Sequence, residues 1–411
     1  MASPSPLAPE RFPELPPIAG VRLATAHCGI RYRGRRDLMV AVLDPGTTVA
    51  GVFTRSLTAG APVEWCRTAL GRGKVRAIVV NSGNSNTFTG RAGRKVVEET
   101  AAATAKLLSC HPREVYISST GVIGEPPAGE KIIAALPEAT RNADARAGAW
   151  AEAAEAIMTT DTFPKGATRQ AEIDGVAVTI SGFCKGSGMI APDMATMLGY
   201  IFTDAALPAR VLQELLKASN ERSFNSITVD GDTSTSDTVL FCATGKAKHK
   251  RIAKAGDPRL KSFRRALDEV MIDLAQQIVR DGEGAEKFVT IEVAGAASTR
   301  SARKIGLAIG NSPLVKTALA AGDANWGRIV MAVGKCGEKA DRDKLAISIG
   351  GVRIAEKGGP VPGYDEAPVA KHMAGRDIHI ALDIGIGKGR ATVWTCDLTH
   401  RYIDINGSYR S

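Results

Sequence analysis

Aromatic residues make up only 5% of this 411-residue chain. That is too few for the stacking platforms on which single-strand nucleic-acid binders rest their bases. No apolar run approaches the ~20 residues that a membrane helix needs, so no membrane partner is expected. The opening MASPSPLAPERFPELPP is rich in proline and serine and lacks the basic head and apolar stretch of a signal peptide. Residues 1–20 read as an extended or disordered lead. The seven cysteines, at 28, 66, 110, 184, 242, 336 and 396, include no CxxC. Their odd number and wide spacing exclude a disulfide framework and point to a reduced, cytoplasmic setting. The six histidines form neither HxxxH nor CxxH, so no metal site is expected. The acidic run DGDTSTSD at 230–237 lacks the ligand order of a calcium loop. The net charge of +10 is spread along the chain, with dense runs only at Arg31 to Arg36 and Lys246 to Arg251. This is a solvated basic surface rather than a nucleic-acid groove.

What the chain does have is KGSGMIAPDMATML at 185–198. A glycine-relaxed turn leads to Pro192 and Asp193, then to a small residue followed by a threonine, Ala195-Thr196. A hydroxyl one residue after a strained carbonyl can attack it in an N-to-O acyl shift, and water then releases the ester. The freed N-terminal threonine keeps its α-amine beside its Oγ. Such an amine titrates near ~7.7–8.0 and can serve as base for its own hydroxyl. The same stretch contains Gly186-x-Gly188-x-x-Ala191, a loose dinucleotide fingerprint. A phosphate loop needs a long helix just after it, whereas Pro192 interrupts here and MLGYIFT (197–203) reads as a buried strand. Cys184, directly before the motif, reads as a small buried apolar residue.

Strands are expected over Leu38 to Leu43, Thr48 to Phe53, Val75 to Val80 and Val176 to Ser181, from their apolar and β-branched runs. Further strands are expected over Phe288 to Val293, Ala346 to Gly350, Ile378 to Leu382 and Ala391 to Cys396. Helices are expected over Arg91 to Leu108, Asn142 to Met158, Pro208 to Asn220 and Pro258 to Arg280. The mixture is α/β or α+β. Gly385, Gly387 and Gly389 read as a hairpin loop between two strands. A cut before Thr196 divides the chain into 21–195, behind the lead, and 196–411. Both pieces hold strands and helices, so they must remain one folded body.

Several blocks in order carry a resemblance: AIVVNSGNSNTFTG (77–90), SSTGVIGEP (118–126), AIMTTDTFPK (156–165), the 185–198 segment, SFNSITVDGDTSTSDT (223–238), VRDGEGAEKF (279–288), NSPLVKTALAAGDANWGRIVMAVG (311–334) and the terminal YIDINGSYRS. Together they resemble the ornithine acetyltransferase family, the bifunctional glutamate N-acetyltransferases of arginine biosynthesis. The resemblance implies a layered α/β body like that of amidohydrolases that free their own nucleophile, with a smaller C-terminal portion. It implies an α chain, 21–195, and a β chain, 196–411, that stay associated and pair with a second copy as α2β2. It implies acetyl transfer from N2-acetylornithine to glutamate by ping-pong through an acetyl-Thr196 ester, without a cofactor. Acetyl-CoA stands as an alternative donor.

By the same resemblance, cleavage falls between Ala195 and Thr196, and Thr120 and Gly121 form the oxyanion hole. Thr159, Lys185, Thr196, Glu283, Asn406 and Ser411 bind substrate. A pocket for both substrates needs a cation and an anion, which Lys185 and Glu283 supply. Ser411 stands where the family often has threonine, and Thr160 or Thr162 competes with Thr159 for the hydroxyl contact. The rival reading is an N-terminal-threonine amidohydrolase or aminopeptidase that passes the acyl group to water.

Overall fold

The structure, a computed structural model, describes residues 3–31, 34–191 and 197–407. Strands β1 to β5 are Val21–Ala26, Leu38–Leu43, Thr48–Phe53, Ala77–Ser85 and Val115–Ile123. Strands β6 to β10 are Lys165–Ile173, Val176–Lys185, Leu198–Thr203, Thr238–Ala243 and Phe288–Ala296. Strands β11 to β15 are Ala346–Ile349, Val352–Glu356, Gly359–Pro360, Asp377–Asp383 and Gly389–Cys396. They form three sheets, ordered β1-β2-β4-β5, β3-β9-β8-β7-β6 and β13-β12-β11-β14-β10-β15.

The first two sheets pack face to face. Side chains alternate across a strand, and the alternation assigns each face to its own layer. Leu198, Tyr200 and Phe202 of β8, with Leu240 and Cys242 of β9, meet Met39, Ile78, Val80 and Tyr116 of the first sheet. Ile201 of β8, with Val239 and Phe241 of β9, faces the other way, onto helices Ala209–Arg222 and Lys261–Arg280. Helices Gly90–Leu108 and Gly129–Arg141 cover the far side of the first sheet through Val97, Ala101, Ile132 and Leu136. The result is a four-layer helix–sheet–sheet–helix body. The third sheet builds a smaller C-terminal unit with its own core, packed by helices Thr299–Gly310, Pro313–Ala321 and Trp326–Lys335.

Two expectations need correction. The helix expected over Asn142 to Met158 is confined to Gly148–Ala156. Asp144 instead bridges to Leu23, beside β1, so tertiary pairing overrides the alanine-rich propensity. The glycines at 385–389 do not close a hairpin, because β10 lies between β14 and β15. The connection crosses the end of β10. A Cβ on Gly387 would come 2.7 Å from the Ala296 carbonyl oxygen, and one on Gly389 would come 2.2 Å from the Ser298 backbone. Glycine is required there by close backbone approach.

The middle sheet decides what a cut before residue 196 could do. β3, β6 and β7 precede that point, while β8 and β9 follow it. In space β9 pairs with β3 on one side, and β8 pairs with β7 on the other. The two pieces interleave within one hydrogen-bonded sheet.

Candidate active site

A cavity of about 270 Å³ opens where the first two sheets and the C-terminal unit meet. Its wall includes Thr120, Gly121, Thr159, Thr160, Lys185, Glu283 and Asn406. Residues separated by nearly three hundred positions therefore converge on one space. Ala195, Thr196 and Ser411 lie outside the described residues. Met197, which follows Thr196 in the chain, belongs to the same wall.

Thr120 and Gly121 sit on β5, which runs parallel to β4. The register between these strands slips at Gly83 and Asn84, so that Thr120 faces both Ser82 and Asn84. Such bulges re-aim side chains next to active sites. Gly121 has φ +133°, and a Cβ there would come 2.4 Å from the Gly83 carbonyl carbon. No other residue fits. The asparagine-glycine block secures this distortion: Asn81 Nδ2 donates to the Asn84 carbonyl at 3.0 Å, and the Asn86 N–H donates to Ser119 Oγ at 2.8 Å. These residues build the bulge rather than touch the cavity's centre.

Lys185 ends β7, half-buried, and its ammonium donates to Thr120 Oγ1 at 3.1 Å. Burial lowers its pKa from the ordinary lysine value. Asp161, Asp237 and Glu283 oppose the shift, and Lys165 adds to it. Glu283 follows helix Lys261–Arg280. Its carboxylate accepts from Asn406 Nδ2 at 2.7 Å. Burial raises its pKa against the hydrogen bonds from Asn406 and Thr160. Gly188 makes room for it, since a Cβ there would lie 2.4 Å from the carboxylate. The terminal helix His400–Gly407, which carries Asn406, is anchored by the Thr399 hydroxyl on the Gly284 carbonyl at 2.7 Å. Gly284, at φ +76°, lets that helix approach, because a Cβ would meet the Tyr402 nitrogen at 2.7 Å.

The three threonines of the TTDT run separate by position. Thr159 and Thr160 line the cavity. Thr162 points elsewhere: its amide and hydroxyl both donate to Asp281, and its Oγ1 also accepts from the Ser5 N–H at 2.8 Å. Cys184 is fully buried, donates its thiol to the Leu274 carbonyl, and has its pKa pushed up by burial. It is a core residue and not a nucleophile.

Several residues of the site have no sequence signal of their own. Asp237 belongs to the cavity wall, and burial holds its carboxyl well above the usual carboxylate range. Its Oδ2 finds no hydrogen-bond partner among the described residues. Asp230 accepts from the amides of Met189 at 2.6 Å and Ile190 at 2.8 Å, pinning the chain just before the 192–196 segment. Asp161 and Lys165, four apart, form a buried ion pair that Asp281 completes. Among the described residues no group of three or more His, Cys, Asp or Glu is placed to hold a metal ion. Among them, too, no helix is long and apolar enough to cross a membrane.

Among the described residues the wall brings together Lys185, two carboxyl groups and several neutral donors, a set that suits a zwitterionic amino-acid derivative. A hydroxyl and a backbone position on a distorted strand suit a developing oxyanion. Comparison with known proteins adds the following. The ArgJ family model matches residues 22–411. The arginine biosynthesis bifunctional protein ArgJ of Gluconobacter oxydans is 57% identical over 413 residues, which cover all of this chain and 97% of that one. The ArgJ protein of Bradyrhizobium diazoefficiens is 55% identical, with both chains covered in full. Among solved structures, the arginine biosynthesis bifunctional protein of Bacillus halodurans is 39% identical with a TM-score of 0.50. That match covers 52% of this chain and all of the solved one.

Proposed function

The chain belongs to the ArgJ family, and from that premise we propose that it carries acetyl from N2-acetylornithine to glutamate through an ester on Thr196. As a family member it is an acetyltransferase of arginine biosynthesis. The observation that carries the finer reading is the convergence of Thr120, Gly121, Lys185, Glu283 and Asn406 on one cavity whose wall also includes Met197.

The reaction divides into two halves. The Thr196 hydroxyl attacks the acetyl carbonyl of the donor and gives its proton to the α-amine freed by self-cleavage after Ala195. The carbonyl oxygen becomes an oxyanion, for which the Thr120 hydroxyl and the Gly121 N–H are the donors. The C–N bond then breaks, the leaving amine takes the proton, and ornithine departs. The glutamate amine attacks the ester carbonyl and passes its proton to the α-amine, the C–O bond to Thr196 breaks, and the threonine oxygen takes that proton back as a hydroxyl. Two ester steps replace one direct attack of an amine on a stable amide. Lys185 receives a substrate carboxylate, Glu283 receives the ornithine ammonium, and Thr159, Asn406 and Ser411 complete the contacts. The two pieces stay joined through the shared middle sheet and pair with a second copy as α2β2. A two-piece enzyme also agrees with the solved ArgJ chain that matches 52% of this one along its full length.

Purified protein incubated with N2-acetylornithine and glutamate should yield N-acetylglutamate with little free acetate. Free acetate in proportion to ornithine released would favour the hydrolase reading instead. Acetyl-CoA offered alone with glutamate tests the second donor, and no product in that arm would restrict the enzyme to acetylornithine.

A further inference from the structure

A buried cluster of charges lies beside the groups proposed to receive substrate and is not among them. Lys165, the first residue of β6, is fully enclosed. Its ammonium donates to Asp161 Oδ1 at 2.7 Å, to Asp281 Oδ2 at 2.6 Å and to the Phe163 carbonyl at 3.2 Å. Asp161 is 8% exposed. Its Oδ1 also accepts from the Gly186 N–H at 2.6 Å, and its Oδ2 accepts from the Thr159 N–H at 3.0 Å. Asp281 accepts from the Thr162 N–H at 2.9 Å and stands two residues before Glu283. One enclosed triplet therefore touches all three segments that bring Thr159, Lys185 and Glu283 to the cavity.

Stability alone does not account for such a triplet. Taking charges out of water is costly, and well-packed apolar side chains often do as well or better. What apolar residues cannot do is accept the Gly186 amide, orient the Thr159 amide, and set an electrostatic potential at the neighbouring lysine. The triplet, when ionised, holds two carboxylates against one ammonium, so its surplus charge is negative.

We propose that Asp161 is a positioning residue for substrate-carboxylate recognition, fixing Lys185 through the Gly186 amide and keeping its ammonium charged inside the cavity wall. The inference rests on the reading of Lys185 as the group that receives a substrate carboxylate. Among the described residues, the charged groups that act on Lys185 are Asp161 from the segment before β6, Lys165 from β6, Asp237 from the segment before β9 and Glu283 from the loop after helix Lys261–Arg280. The Thr120 hydroxyl of β5 is its hydrogen-bond partner. Burial alone would raise the Asp161 carboxyl, but Lys165 and Lys185 hold it below the usual carboxylate range. It therefore stays a carboxylate throughout the working range. Asp161, Asp237 and Glu283 all favour the charged form of Lys185, and of the three Asp161 alone is held below the usual carboxylate range.

The test is the pH dependence of KM for glutamate in Asp161→Asn, on protein shown by gel to have been cut and by melting to be folded. The asparagine oxygen can still accept from Gly186, while its amide nitrogen can no longer accept from Thr159, so the change removes the charge and one hydrogen bond with little change of shape. KM should rise about tenfold, with kcat falling far less. The alkaline rise of KM should begin about one pH unit lower than in the parent enzyme. Asp161→Glu restores the charge and should return that rise towards its original position. Should Asp161→Asn fail to fold, Asp281→Asn removes one charge from the same triplet without touching Gly186, and should move the rise the same way by less. An unmoved profile in the variants that fold, or equal losses in kcat and KM at every pH, would overturn the proposal. A parent enzyme that makes no N-acetylglutamate would instead overturn the reading of the site itself.

Discussion

Lys185 Nζ donates to Thr120 Oγ1 at 3.1 Å, and that one bond decides what the threonine's own proton can do. A hydroxyl has one proton and two lone pairs. With a lone pair engaged by an ammonium, which has no acceptor capacity, the proton is left to turn towards the cavity. If Lys185 receives a substrate carboxylate as proposed, the same group also orients the candidate oxyanion donor, and one contact couples binding to chemistry.

Thr120→Ala should therefore lower kcat by about 10²–10³, the usual cost of removing one oxyanion donor. KM should change much less. Thr120→Ser keeps the hydroxyl and should retain most of the turnover. The measurement is steady-state kinetics on the fraction cut before Thr196, because the same donors would serve the cleavage step. Equal turnover in Thr120→Ala and the parent would remove Thr120 from the oxyanion hole.

The pH dependence of binding follows from the same lysine. Burial lowers the Lys185 pKa, so its charge is lost as pH rises through a value below the ~10.4 of free lysine. KM for glutamate should be flat near neutrality and climb on the alkaline side. Lys185→Arg carries a charge that is not lost in this range. It should raise KM overall, because the guanidinium fits the space poorly, but it should flatten the alkaline climb. A climb that persists unchanged in Lys185→Arg would assign it to another group.

Glu283 makes the opposite prediction at the acid end. Burial raises its pKa, so its negative charge is lost as pH falls through a value above the usual ~4.3. Glu283→Gln imitates that protonated state while leaving an acceptor for Asn406. KM for acetylornithine should rise about tenfold, and KM for glutamate, which has no side-chain ammonium, should change little. Equal effects on both substrates would mean that Glu283 shapes the cavity rather than receiving the ammonium.

Legibility in the sequence divides along physical lines. The apolar run MLGYIFT reads directly as a buried strand and falls where expected, at β8, whereas β9, TVLFCA, is a further buried strand not among those expected. Helix Gly90–Leu108 reads equally well, because its apolar stripe is local. The order of β14, β10 and β15 cannot be read from local pattern, since β14 and β15 are consecutive in the chain yet not paired. Among site residues, Lys185 and Glu283 stand in glycine-rich turns that advertise close approach. Asp161, Lys165 and Asp281 look like ordinary surface charges. Nothing in TTDTFPK says that its lysine is enclosed, because the second carboxylate comes from a helix end 116 positions away. Asp237 is hidden in the same way, at the buried end of a polar run whose other members are all partly or fully exposed.

The interleaved middle sheet gives the last prediction its form. If Thr196 severs the chain, the parent protein should run as two fragments on a denaturing gel and as one species in native chromatography. Separation would require breaking the β9–β3 and β8–β7 ladders together. Each ladder joins six residue pairs along its length, and both strands carry core side chains on each face, so the pieces should part only on global unfolding. Thr196→Ala removes the hydroxyl and should leave a single band near 43.1 kDa with no acetyl transfer. Thr196→Ser keeps both hydroxyl and amine and should retain some of each activity. A Thr196→Ala protein that is still cut, or that still forms N-acetylglutamate at the parent rate, would move the nucleophile to another residue. Two fragments that separate in mild buffer would show that the cut lies outside the connection between β7 and β8.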